Sequence, residues 1–237
     1  MIRSARTSHS SIRRNFTAHV ASILLLMSGC SGDAHGGTPS PQVPTYNFAG
    51  ISTHQHAAEI EGIRATINWS VDPSTTAGSA QSTWIGIFGQ SDPRTHLSSK
   101  IAQIGWKQQG TSPPRVFWEW GTDSNHVSIF YGDIATPPLT IELDRDPAGN
   151  FSFIANCINV GTVSLAWYPT FEAVAAETHR PSDLLAGSAD RPEAIDHLEW
   201  RISGNWSAIS AEPFSSNPFY RVKLDDLKRL LIWDSRH

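Results

Sequence analysis

Three apolar segments each carry one polar side chain suited to hydrolytic chemistry. Gln103 sits in Ile101-Ala102-Gln103-Ile104-Gly105-Trp106, and Glu119 sits in Phe117-Trp118-Glu119-Trp120. Glu177 closes Ala173-Val174-Ala175-Ala176-Glu177, and the run Trp84-Ile85-Gly86-Ile87 precedes all three. A carboxylate among apolar and aromatic neighbours must find a partner or shift its pKa, because leaving it buried and unpaired costs several kcal/mol. One carboxylate to take a proton from water and one amide to bond a developing oxyanion are what a hydrolytic site requires. Gln103, Glu119 and Glu177 are therefore candidate residues of a hydrolytic site, in an aromatic cleft to which Trp84, Trp118 and Trp120 would contribute.

Other chemistry has less support. The sequence holds no Gly-x-Ser-x-Gly, no Gly-rich phosphate loop and no His-Glu-x-x-His. His54-Gln55-His56 has two imidazoles on one strand face but no third ligand nearby, and reads as a solvated pair. Asp144 and Asp146 flank Pro147-Ala148-Gly149, where turn formation accounts for them without calcium. Cys157, inside the apolar stretch Phe151 to Val160, reads as a buried, inert thiol. No metal site and no cofactor is expected.

The elements that must position these residues are short strands. Ile63, Ala65, Ile67 and Trp69 alternate within Ile60 to Val71, which Asp72-Pro73 closes. Ser82 to Phe88, Lys100 to Lys107, Arg115 to Trp120, Val127 to Tyr131, Leu139 to Leu143 and Phe151 to Ile158 follow, then Val163 to Trp167, Ala173 to Thr178 and His197 to Ser203. Pro137-Pro138 and the segment Asp146 to Asn150 are turns. Leu224, Leu227, Leu230 and Leu231 have near-helical spacing and predict a short C-terminal helix over Lys223 to Ile232, and Glu193 to Leu198 could add one turn. Around ten short strands in one domain imply an all-β fold, a two-sheet antiparallel sandwich.

The 237-residue chain has a formal charge of −4 and no Lys/Arg run after its first residues, which argues against nucleic acid as a partner. Arg3, Arg6, Arg13 and Arg14, an apolar run from Val20 to Met27, and Met27-Ser28-Gly29-Cys30 have the layout of a cleavable export signal. That run is too short to span a bilayer, which needs ~20 apolar residues. The segment resembles the lipobox of bacterial lipoproteins, which implies lipidation of Cys30 and a lipid-anchored place in the cell envelope. Residues 1–29 are then the signal, 30–46 a Gly/Ser/Pro-rich tether, and 47–237 one folded domain, expected to be a monomer. With Cys30 lipidated, Cys157 is alone and no internal disulfide forms.

The series Trp84 to Ile87, Ile101 to Gly105, Trp118 to Trp120 and Ala176-Glu177 resembles the glutamic peptidases, the eqolisins, in order and spacing over roughly residues 60 to 203. The resemblance implies a concanavalin A-like jelly roll and acid-optimum cleavage of peptides. Glu177 would be the general base and then the acid, Gln103 would orient the water and stabilise the oxyanion, Glu119 would hold its neighbours, and Trp84 would line the groove. Thr178-His179 departs from the family pattern, where an aromatic residue often follows the glutamate, and Glu199-Trp200 is a rival match. The alternative is a non-catalytic lectin-like module whose tryptophans grip a peptide or a glycan.

Overall fold

The computed structural model describes residues 46–55, 57–69, 75, 77–89, 100–132, 135–208, 210–225 and 228–237. The proposed signal, the lipidation position Cys30 and nearly all of the tether lie outside these residues, as does His56. Among these residues fifteen strands occur in chain order: β1 (Asn47–Thr53), β2 (Ile60–Asn68), β3 (Ala80–Gly89), β4 (Ile101–Gln109), β5 (Arg115–Gly121), β6 (His126–Tyr131), β7 (Leu139–Arg145) and β8 (Asn150–Ala155). They continue as β9 (Ile158–Ser164), β10 (Pro169–Thr178), β11 (Glu193–Ile202), β12 (Asn205–Ser207), β13 (Glu212–Ser215), β14 (Tyr220–Leu224) and β15 (Leu230–Asp234). Among the described residues the only helix is one 3-10 turn, Ala57–Glu59.

The strands form two antiparallel sheets, one ordered β13-β1-β10-β3-β4-β5-β6 and the other β14-β15-β11-β2-β7-β8-β9, with β12 paired to β11. The expected sandwich is therefore present. Its main core lies between the sheets. Ile63, Ala65 and Ile67 of β2 meet Ile85 and Ile87 of β3, Ile104 and Trp106 of β4, and Phe151 and Phe153 of β8. A polar contact bridges the two layers within this core. The Glu193 carboxyl group on β11 accepts from Thr83 Oγ1 at 2.9 Å and from Trp106 Nε1 at 3.0 Å.

The first sheet carries a second apolar cluster on its opposite face, formed by Tyr46, Phe48, Trp84, Phe88, Ile101, Phe117, Ala173 and Ala175. Every residue of β3 and nearly every residue of β4 and β10 is accordingly buried, whichever way its side chain points. This second face is the candidate groove.

The predicted C-terminal helix is absent. The segment is the β14–β15 hairpin, in which Leu224 pairs with Leu230 and Val222 with Ile232. Lys228 takes a positive φ of 59° in the connection, which breaks any helix there. Glu193 to Leu198 is likewise strand, not helix. Cys157 is exposed rather than buried. It and Asn156 take φ values of 66° and 48° at the tight turn between β8 and β9, so the apolar run ends at a hairpin tip.

Candidate active site

Alternation along a strand puts successive side chains on opposite faces, and the register then fixes which of them meet. Glu177 of β10 pairs with Ser82 of β3, and Ser82 with Lys107 of β4. One same-face step along, Ala175, Trp84, Gly105 and Phe117 form the next row. One further step gives Ala173, Gly86, Gln103 and Glu119, with Ser128 of β6 beyond. Gln103, Glu119, Glu177 and Trp84 therefore share the groove face. Gly86 keeps the floor low beside Gln103, since a Cβ there would stand 3.2 Å from the Gln103 Cβ and 2.9 Å from the Phe88 ring.

Gln103 and Glu177 share a face but not a contact. Two strands and two same-face steps separate them, about 16 Å between Cα atoms at ordinary strand spacing and rise. The Glu177 carboxylate is engaged where it stands. Trp84 Nε1 donates to Oε2 at 2.9 Å, and His179 Nε2 lies 3.2 Å from Oε1. Burial pushes this carboxyl up, but His179, the nearby Lys107 ammonium and the Trp84 donor outweigh it and leave the pKa lowered.

The carboxylate neighbour of Gln103 is Glu119, directly opposite it on β5, a spacing that puts Cβ atoms roughly 5 Å apart. Both side chains are buried, with Gln103 at 1% and Glu119 at 0% exposure. Gln103 Oε1 and both Glu119 oxygens have no aligned hydrogen-bond donor. His126 of β6 reaches Glu119, with Nε2 2.5 Å from Oε1. Tyr46 packs edge-on against His179 with ring centroids 4.7 Å apart. Its phenol is pushed up to about 12 by burial and by the negative fields of Glu177 and Glu119. Tyr46 and His126 were not legible as groove residues, because only pairing across strands brings them in, whereas His179 reaches Glu177 from two residues along the same segment.

Trp118 and Trp120 do not line the groove. They flank Glu119 in sequence, so they point the other way, into the space between the sheets. Trp118 stacks on Phe153 at 4.6 Å, and its ring fills the room left by Gly161 of β9, where a Cβ would stand 2.4 Å from it. Glu199 and Trp200 sit on β11 of the second sheet. Glu199 pairs there with Arg64 at 2.7 Å, so this pair is not part of the groove. His54 bonds the Thr170 carbonyl at 3.1 Å, Asp146 ties down the turn at Asn150, and Asp144 pairs with Arg201 at 2.5 Å.

No protein-family model matches the chain, and no curated protein does. Solved structures do resemble it. One is scytalido-glutamic peptidase with a peptide-based transition-state analogue, at 12% identity and a TM-score of 0.58, covering 81% of this chain and 99% of that one. Another is SCP-B, a member of the eqolisin family, in complex with the tripeptide Ala-Ile-His, at 11% identity, a TM-score of 0.58 and the same coverages. At such identities the likeness is one of fold.

Proposed function

We propose that this chain is a glutamic-peptidase-like protein that takes an extended peptide into the groove and hydrolyses it with a water held between Gln103 and Glu119. One observation carries the reading. Gln103 Oε1 and Glu119 Oε2 are buried at paired positions of β4 and β5 without a donor, while His126 Nε2 holds Glu119 Oε1 from the other side. Buried polar atoms are rarely left so, and what an acceptor cluster lacks is a molecule that brings N–H or O–H groups. A water donating one O–H to Gln103 and the other to Glu119 turns its lone pair outward. As that oxygen bonds to a peptide carbonyl carbon, Glu119 takes the proton. It returns the proton to the nitrogen as the C–N bond breaks. Tyr46 keeps its phenolic proton throughout the working range and serves as a donor beside the groove.

In this reading Glu177 forms the far end of the groove. To act as the base it would have to leave Trp84 and His179 and cross two rows of the sheet. The tryptophans expected to stack on a sugar are not presented there, since Trp84 is buried and Trp118 and Trp120 face inward. The chain is also proposed to be held at the cell envelope through lipidated Cys30.

Digestion of a denatured protein by the purified chain from acid to neutral pH tests the assignment. Gln103→Ala and Glu119→Gln are expected to lose about 100-fold or more in rate, and Glu177→Gln less than about tenfold. Loss confined to Glu177→Gln would return the base to that residue. A folded wild-type chain that cleaves nothing at any pH would reduce the groove to a binding site.

A further inference from the structure

Glu172 has no role in the site described so far, and its surroundings do not suit it. It is fully buried on the inner face of β10, and neither carboxyl oxygen has a hydrogen-bond partner. Its neighbour Ala173 occupies the groove position across Gly86 from Gln103. Gln103 Oε1 in turn is a buried acceptor without a donor. The two orphaned groups are thus one residue out of register with each other.

Beside Glu172 the strand holds a spare residue. Pro169 pairs with Gly89 and Phe171 with Phe88, so Thr170 is the extra residue of a β-bulge. Moving this bulge to Ala173 would pair Thr170 with Phe88, Phe171 with Ile87 and Glu172 with Gly86, and would leave Val174 on Ile85 where it is. A one-residue slip exchanges faces. Glu172 would enter the groove, and the half-buried Phe171, now stacked on Phe88 at 4.6 Å, would take its place in the core.

We infer that β10 has this second register, in which Glu172 faces Gln103 across Gly86 and its carboxyl O–H donates to Gln103 Oε1. The exchange removes a carboxyl from an apolar layer, puts an aromatic ring there, and satisfies the free amide oxygen. The cost is the Phe88–Phe171 stack and the contact of His54 with Thr170. Glu172 becomes a switchable residue of the groove whether or not the groove cleaves peptides.

Cysteine pairs on β1 and β10 read the register directly. Thr53 of β1 lies on the inner face opposite Glu172, whereas in the second register it lies opposite Phe171. A disulfide needs Cα atoms within about 7 Å and Cβ atoms facing each other, so residues on opposite faces do not close one. In a Cys30→Ser, Cys157→Ser background that keeps Glu172, Thr53→Cys combined with Phe171→Cys is expected to oxidise. Ser52→Cys with Val174→Cys should stay reduced, because residue 174 faces inward in both registers. Deleting Thr170 removes the spare residue and should abolish the 53–171 crosslink. If the 53–171 pair stays reduced under conditions that close Ser52→Cys with Ala173→Cys, the inference fails. It also fails if the crosslink survives deletion of Thr170.

Discussion

The Trp84–Glu177 hydrogen bond is where one donor sets the state of a buried carboxylate. Trp84→Phe keeps the ring and removes the donor, at an expected cost of about 1–2 kcal/mol at neutral pH. A carboxyl whose folded pKa is lowered contributes stability above its unfolded value and loses it as pH falls through the folded one. The penalty should therefore shrink in strong acid, where Glu177 is protonated in wild type and variant alike. Urea midpoints at neutral and strongly acid pH measure this, and an equal penalty at both would separate Trp84 from the charge of Glu177. At this scale the register puts Gln103, Glu119 and Glu177, the polar residues singled out in the sequence, on one face of the first sheet. The sequence did not show which of them touch, because contacts across a sheet depend on register, and register depends on turn lengths and a bulge. Trp118 and Trp120 illustrate the opposite case. Strict alternation around Glu119 already placed them on the other face, but the aromatic run invited reading the three together.

Among the elements, β9 has its place on the sandwich fixed by one glycine. The Trp118 ring occupies the position where a side chain at residue 161 would stand. Gly161→Ala forces either the indole or the edge strand to move, with an expected loss of about 1–3 kcal/mol. The near-UV circular dichroism of the tryptophans should change with it. Unchanged dichroism and stability would mean that β9 lifts off at no cost. The strands themselves were legible wherever one face is core and the other wet, as in β2, where Ile63, Ala65 and Ile67 are buried in alternation. The C-terminus was not. Leucines at 224, 230 and 231 satisfy a helical stripe and a hairpin equally, and the turn around Lys228 decides between them. Glu172 shows the limit most sharply, since a single extra residue, Thr170, determines whether it or Ala173 meets the groove.

Across the whole molecule, two carboxyls in the interior tie folding to pH. Burial raises Glu172 from 4.5 to about 9. Burial also raises Glu193 from 4.5 to about 8, with the Thr83 and Trp106 hydrogen bonds pulling the other way. A carboxyl with a raised folded pKa keeps its proton in the native state while the unfolded chain releases it, so stability falls as pH rises from about 4.5 toward 8 to 9. Glu177 acts in the opposite sense at the acid end. The thermal midpoint is therefore expected to peak in mild acid and to decline toward pH 8.5. Glu172→Gln should raise the alkaline midpoint and flatten the decline. A midpoint independent of pH across this window would show that neither carboxyl is neutral in the fold.

The bridge that Glu193 makes between the sheets has a thermochemical consequence. Because it assembles around a protonated carboxyl, closing the sandwich near neutral pH draws a proton from solution, and Glu172 draws a second. Folding of this chain is then a reaction with its buffer, and the heat it releases includes the heat of deprotonating whatever weak acid surrounds it.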